Sequence, residues 1–444
     1  MRIIIAGDGD TGTHLANTLS IENQDIVLIG SDASHLAELD SAYNFITYKG
    51  NPLSAADLKA CGIEEAGLFV SVTPDENINL LSAQIAKGCG ARMTAARIDN
   101  DAFLASPTAS VIRRNGVDCV IYPEMSAAKE IVHFIRHNWV SEWFELHHGE
   151  LIVAGVRIEK DSMLAGRQLR DTNANPRIFH VSSMKRGDEM IIPRGDTEIH
   201  AGDTLFFSVL PENLDKLCRI CGHTLTPVRR IMITGGGDVT ANLLAALPAD
   251  LAITVVEADR KRCGTLAMLR KGVTVVNSSA NDVATLKEEG IGHCDMFIAL
   301  TGSSETNIVS CMVAREHGVP KTVARIEQLQ YIPEAESLSI DKIINKKKLN
   351  VGKILNMLVD SGEEEARCML LDHAEIIELV AREDSDITSR PIFRLSLPKD
   401  ITIGGLIRHG KAMLVEGSTQ IEAGDHVLVF CRIGSLSKVE RLFR

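Results

Sequence analysis

Gly7, Gly9 and Gly12 in the stretch GDGDTG follow the apolar run RIIIA without a break. The G-x-G-x-x-G spacing has a physical use where a strand feeds a helix. The first glycine permits a tight turn, the second lets backbone approach a pyrophosphate, and the third lets helix and strand pack closely, with the helix N-terminus facing the negative charge. The chemistry to expect is capture of a dinucleotide or nucleotide. A second stretch, GGGDVT at 235–240, carries the same device with Thr240 at the third position, where a side chain is expected to push the helix outward. An acid about 20 residues on would hold the ribose hydroxyls. Glu257 stands there in the second copy; the first has Gly30 at the matching place, and Asp32 is its nearest carboxylate. No arginine is expected beside either turn to receive a 2′-phosphate, which disfavours NADP. Further along, Thr73 and Thr301 end the fourth strand of each copy, with hydroxyls able to cap a helix or contact an adenosine. Arg97 and Arg325 end the next strand and face either phosphates or a surface ion-pair partner.

Other chemistries lack their parts. The sequence shows no P-loop lysine, no nucleophile elbow, no HExxH, and no His, Lys or Tyr constellation of the kind a hydride-transferring enzyme places beside a nicotinamide. We expect no catalytic residue. Cys218 and Cys221 have CxxC spacing with His223 beside them, but no second ligand pair completes a zinc site, so no metal is expected. His147-His148 falls in a linker and reads as solvated, as does the basic run at Lys346 to Lys348 at a helix start.

The elements that must position these residues occur twice. At a constant offset of 228, Gly7 and Gly9 match Gly235 and Gly237, Gly62-Ile63 matches Gly290-Ile291, Thr73 matches Thr301, Asn79 matches Asn307, and AARI at 95–98 matches VARI at 323–326. A unit has been duplicated. Within each copy, buried apolar runs alternate with helical stretches such as INLLSAQIAKGCG, the pattern of βαβ units on a parallel sheet. A shorter repeat follows each copy: PRGDTEIHAGDTLFF at 193–207 resembles VEGSTQIEAGDHVLVF at 415–430, with the period-2 alternation of antiparallel strands. The fold class is therefore α/β, with two Rossmann-like doubly wound domains each followed by a small α+β domain. The expected boundaries are 1–125, a connecting helix at 126–148, 149–225, 228–345, connecting helices at 346–370, and 371–444. The runs at 126–146, with both tryptophans, and at 350–362 read as helices that either cap their own domain or pack on a neighbour.

A chain of 444 residues has material for several cores, and 45% apolar with 24% charged residues is the composition of a globular protein. A formal net charge of −12 makes it a poor general binder of nucleic acid or anionic lipid. The start MRIIIAGDG passes straight into a strand and a turn, so no secretory leader is expected; no run is long and apolar enough to span a bilayer. Ten scattered cysteines fit a reducing cytoplasm.

Taken together, the strand-turn-helix RIIIAGDGDTG, the Thr73 turn before NINLLSAQIAK, AARI, and TGSSETNIVSCMVAREHGV followed by VARI resemble the regulator-of-potassium-conductance (RCK, or KTN) family, across nearly the whole chain and in tandem. The family usually has an acid at Gly30 and a Gly-Asp pair where this chain has Gly50-Asn51 and Ser278-Ser279. The resemblance implies nucleotide contacts at Gly7, Asp8, Gly9, Asp10, Thr11 and Gly12, at Asp32 in place of the earlier acid, and at Asn51, Thr73, Pro74 and Arg97. In the second copy they fall on Gly235, Gly236, Gly237, Asp238, Val239, Glu257, Ser279, Thr301 and Arg325. It also implies NAD(H), or ATP and ADP, as ligands. Further implications are assembly into a dimeric or tetrameric ring and a peripheral place on the cytoplasmic face of the inner membrane, beneath a TrkH- or TrkG-like potassium translocator. A nucleotide-sensing regulator of potassium uptake is the leading expectation. The alternatives are an NAD-dependent oxidoreductase with duplicated cofactor domains and a scaffold that has lost nucleotide binding.

Overall fold

In a computed structural model the chain folds around four sheets. The structure describes residues 1–21, 24–172, 177–187, 189–359, 368–371, 374–432 and 434–443. Strands β1 Arg2–Ala6, β2 Asp25–Gly30, β3 Ile46–Lys49, β4 Ala66–Ser71, β5 Met93–Arg97 and β6 Cys119–Ile121 lie parallel in the order β3-β2-β1-β4-β5-β6. That order reverses direction between β1 and β4, the switch point at which open α/β sheets bind ligands. The central strands are apolar along their whole length because helices cover both faces: Ile3, Ile4 and Ile5 are fully buried.

After β7 Glu142–Leu146, β8 Leu151–Arg157, β9 Phe179–Arg186, β10 Glu189–Ile191 and β11 Thr204–Val209, the pattern repeats. Strands β12 Arg230–Thr234, β13 Ala252–Glu257, β14 Val273–Asn277, β15 Met296–Ala299, β16 Lys321–Arg325 and β17 Lys342–Ile344 form a second parallel sheet, ordered β14-β13-β12-β15-β16-β17. The last sheet holds β18 Cys368–Leu371, β19 Ala374–Val380, β20 Ile401–Arg408, β21 Lys411–Leu414 and β22 His426–Arg432. The α/β class with two Rossmann-like sheets and two antiparallel ones is thus what the periodicity predicts. The short edge strands β6 and β17 escaped the sequence reading, because three residues are too few to show a period.

The small sheets carry their own repeat. Arg186 donates to both oxygens of Asp203, at 2.9 and 2.7 Å, and Arg408 does the same to Asp425, at 2.8 and 2.7 Å. Both carboxylates are almost fully buried and belong to the two AGD motifs. Each also accepts a backbone N–H three residues back, from His200 and from Glu422. Burial pushes the Asp203 carboxyl up, but the Arg186 and His200 hydrogen bonds outweigh it and leave the group below its ordinary value.

The apolar run 126–146 divides. A helix spans Pro123–Arg136, and EWFEL becomes β7, paired antiparallel with β8. The aromatic and alternating residues of that tail suit a pleated surface better than a helix. The chain as a whole forms two compact units, one of Met1–Pro123, Lys347–Leu370 and Ile433–Glu440, the other of Glu124–Lys346, Leu371–Arg432 and Arg441–Arg444. The helix Lys346–Val359, which follows the second parallel sheet in sequence, packs on the first: Lys353 Nζ donates to the Val120 carbonyl at 2.6 Å. The helix Pro123–Arg136 belongs to the unit of the second sheet, where Lys342, almost fully buried, meets Glu130 and Glu142 at 3.5 and 3.4 Å. Of the two options open at the sequence level, packing on a neighbour is the one adopted. Residues 360–362 of the second run, like the rest of 360–367, lie outside the described residues.

Removing Arg186 would strand a buried carboxylate, so Arg186→Ala is expected to cost about 3–5 kcal/mol in denaturant unfolding. The depressed Asp203 pKa contributes stability above its unfolded value of about 3.9 and loses it as pH falls through the folded value. The deficit of the variant should therefore narrow in acid.

Candidate functional site

Each parallel sheet delivers its first strand into a glycine turn and a helix. In the first copy β1 runs through Gly7, Asp8 and Gly9 into the helix Asp10–Ile21. Gly7 has φ +117°, which favours glycine, and a β-carbon there would sit 3.0 Å from the Thr73 nitrogen. A β-carbon at Gly12 would lie 1.8 Å from the Gly7 carbonyl oxygen, so only a glycine permits this approach of helix to turn. Gly9 is different: a β-carbon there meets nothing within 4 Å. The middle of the turn faces open space.

The second copy solves the third position otherwise. Thr240 is fully buried and its hydroxyl donates to the Gly235 carbonyl at 2.6 Å, so the helix Asp238–Ala246 must stand farther from the turn than its counterpart. Val239 is buried, Asp238 is exposed at the helix start, and Gly237 precedes it. One expectation fails here. A β-carbon on Gly237 would lie 3.8 Å from the Arg262 guanidinium, so an arginine does stand beside the second turn, brought there by the helix Arg260–Leu269.

Across the switch point, Thr73 and Thr301 are held by one buried amide each. The Asn79 carbonyl oxygen accepts the Thr73 N–H at 2.8 Å and its hydroxyl at 2.7 Å, while its amide donates to the carbonyls of Thr73 and Arg97, both at 3.0 Å. Asn307 repeats all four bonds with Thr301 and Arg325, at 2.9, 2.6, 3.1 and 2.8 Å. Each asparagine thus ties the end of the fourth strand to the end of the fifth. Asn79 and Asn307 entered the sequence reading only as a repeat match; their place one turn into a helix after a conserved-offset threonine was the available signal.

The remaining predicted residues spread around the cleft. Asn51 and Ser279 open the turns after β3 and β14, and both side chains accept backbone N–H groups, from Leu53 and Asn281. Pro74 is exposed between Thr73 and the helix Glu76–Gly88. Arg97 donates to Asp99 at 2.7 Å and Arg325 to Glu327 at 2.6 Å, the ion pairs that stood as the alternative to phosphate contact. Asp32 caps the helix Ala33–Ala42, accepting the Ser34 and His35 N–H groups, which hold its carboxyl below the usual range. Asp259 caps the helix Arg260–Leu269 in the same way.

Cations enter the first site from a region that was expected to be solvated. Lys347 Nζ lies 2.9 Å from Asp10 Oδ2 with its side chain only 17% exposed. Lys346 belongs to the other compact unit, where it pairs with Glu124, also at 2.9 Å. Burial, and then the Lys347 and Lys348 ammonium groups, push His14 below the ordinary histidine value. Thr11 and the exposed Asp10 lie in the same helical turn. By contrast, the CxxC pair is core: Cys218 and Cys221 are fully buried, and burial raises the Cys218 thiol to about 11 and Cys221 further. His223 lends Nε2 to the Arg157 carbonyl at 2.7 Å.

Domain-family models match the chain four times. That of the TrkA-N domain matches residues 3–123 and 231–346, and that of the TrkA-C domain 153–222 and 376–444. The Trk system potassium uptake protein TrkA homolog of Archaeoglobus fulgidus is 29% identical over 100% of both chains. The Trk system potassium uptake protein TrkA of Halomonas elongata is 29% identical over 100% of this chain and 99% of its own. Among solved structures, the GsuK channel bound to NAD aligns with a TM-score of 0.62 at 14% identity, over 100% of this chain and 78% of that one.

The asparagine ties generate a stability test. Asn79→Ala, which removes five bonds including one from the Ser71 hydroxyl, or Asn307→Ala, which removes four, strands buried backbone groups and should cost about 2–4 kcal/mol in urea unfolding.

Proposed function

This chain belongs to the family built from TrkA-N and TrkA-C domains, and on that premise we propose that it is the nucleotide-sensing regulatory subunit of a Trk-type potassium-uptake system. The observation that carries the reading is the duplicated cradle: two parallel sheets, each opening its switch point with a glycine turn onto a helix N-terminus. Backbone N–H groups and the helix dipole there suit a pyrophosphate. NAD(H) is the favoured ligand, with ATP or ADP as the adenine nucleotides that fit the same cradle. The names of the full-length relatives support potassium uptake as the setting, and the NAD-bound GsuK channel supports the ligand class on this fold.

The mechanism is thermodynamic and has no chemical step. Nucleotide in the clefts favours one packing of the domains over another, and a ring of subunits on the cytoplasmic face transmits the change to a TrkH- or TrkG-like translocator. Only a ligand with different affinities for the two packings shifts the balance. Among the described residues no helix is long and apolar enough to cross a membrane, so the pore falls to the partner in this scheme.

Calorimetric titration with NAD, NADH, ATP and ADP tests the reading. Heat is expected from at least one of them, and Gly9→Glu should abolish binding in the first copy. Because a side chain at Gly9 meets open space, the variant should keep its stability to within about 0.5 kcal/mol. No heat from any ligand, or normal growth of a deletion strain at limiting potassium, would count against the assignment.

A further inference from the structure

The two copies place their carboxylates on opposite walls of the cleft. Strand register makes Gly30 the counterpart of Glu257: Ala6 pairs with Ile29 and Thr234 with Val256, one residue before each. Offset makes Asp8 the counterpart of Gly236. In the second copy Glu257 accepts the Gly236 N–H through Oε2 and the Asp259 N–H through Oε1, the latter at 2.7 Å. A β-carbon on Gly236 would stand 2.5 Å from Leu266 Cδ1, and 2.9 and 3.0 Å from Glu257 Cγ and Oε2. In the first copy the relation is inverted. A β-carbon on Gly30 would lie 2.2 Å from Asp8 Oδ2 and 2.6 Å from its carboxyl carbon. Asp8 thus fills, from the turn, the space that a strand-end side chain fills in the other copy. One wall carries the acid and the facing wall carries glycine, in each copy with the roles exchanged.

What the two carboxylates do with their oxygens also differs. Among the described residues nothing donates to the Asp8 carboxylate, while its backbone carbonyl is held by His35 Nε2 at 2.9 Å and by the Thr13 hydroxyl at 3.3 Å. Asp32, two residues past the end of β2, spends Oδ1 on its helix cap. Among the described residues, the carboxylate at the end of β2 with both oxygens free to accept is therefore that of Asp8, whereas Asp32 keeps only Oδ2.

We infer that Asp8 supplies the ribose-binding carboxylate of the first site, accepting the 2′- and 3′-hydroxyls of an adenosine ribose, and that the Asp8/Gly30 pair is a reciprocal replacement for Gly236/Glu257. The inference rests on the nucleotide-binding reading above and names its specificity residue. A carboxylate there also repels a 2′-phosphate, so the first site discriminates NADH from NADPH through Asp8. Asp32 positions the helix behind it.

Photolabelling of the full-length chain with 8-azido-ATP, mapped to peptides of residues 1–123 and 231–346, reads the copies separately, with NADH and NADPH as competitors. Asp8→Asn should weaken NADH competition in the first copy by roughly tenfold to a hundredfold and narrow its preference over NADPH. The second copy should keep wild-type competition, which also reports that the protein is folded. Gly30→Glu alone meets the Asp8 carboxylate and should weaken binding; combined with Asp8→Gly it recreates the arrangement of the second copy and should restore both affinity and preference. Wild-type NADH affinity and preference in Asp8→Asn would overturn the inference while leaving the proposed function standing. Failure of the wild-type first copy to take label would overturn the inference, and failure of both copies, with no heat from any of the four nucleotides, would overturn the proposed function as well.

Discussion

The geometry of each glycine-turn cleft depends on one buried side-chain amide. Asn79 and Asn307 commit both ends of that amide, joining the loop after the fourth strand to the last carbonyl of the fifth. Without them, two adjacent strands would end in unpaired polar groups beside the switch point, and the turn that carries Gly7 or Gly235 would lose the floor it rests against. The contact is close: a β-carbon on either glycine would stand 3.0 or 2.7 Å from the nitrogen of Thr73 or Thr301. A polar tie, a helix start and a tight backbone contact thus define one rigid edge. Buried amides of this kind are stable only when fully satisfied, and these are.

Duplication lets the two copies serve as controls for each other. Features shared by both include the asparagine ties, the aspartate caps of the helices after β2 and β13, and the left-handed Gly62 and Gly290. Features that differ show where a second solution exists. Thr240 replaces a missing side chain with a hydroxyl bond to the same carbonyl that Gly12 approaches bare. The carboxylate stands at the strand end in one copy and in the turn in the other, with a glycine opposite it each time.

Much of this was legible in the sequence, for identifiable reasons. Gly7, Gly9 and Gly12 are local signals whose meaning depends only on the adjacent strand and helix, and the repeat at an offset of 228 reported the second copy without any structural knowledge. Asp8 was named within the turn but could not be assigned its place opposite Gly30, since that depends on register between strands rather than on spacing along the chain. Lys346 and Lys347 read as solvated because their partners, Glu124 and Asp10, lie more than 200 positions away. Arg262 was missed for a related reason: helix geometry, not proximity in sequence, returns it to the turn at Gly237. The run at 126–146 misled because tryptophan and phenylalanine fit the apolar stripe of a helix and the face of a strand equally well.

The exchange of connecting helices has an implication for how this protein can be divided. Each compact unit draws on residues from both halves of the chain, so the linker near residue 227, where the duplication invites a cut, is no boundary between self-sufficient pieces. An N-terminal fragment ending there would keep its parallel sheet but surrender the helix bearing Val351 and Ile354, leaving an oily surface bare and Asp10 without its ammonium partner. The tandem is in this sense a knit garment: the seam visible in the text is crossed by threads in space.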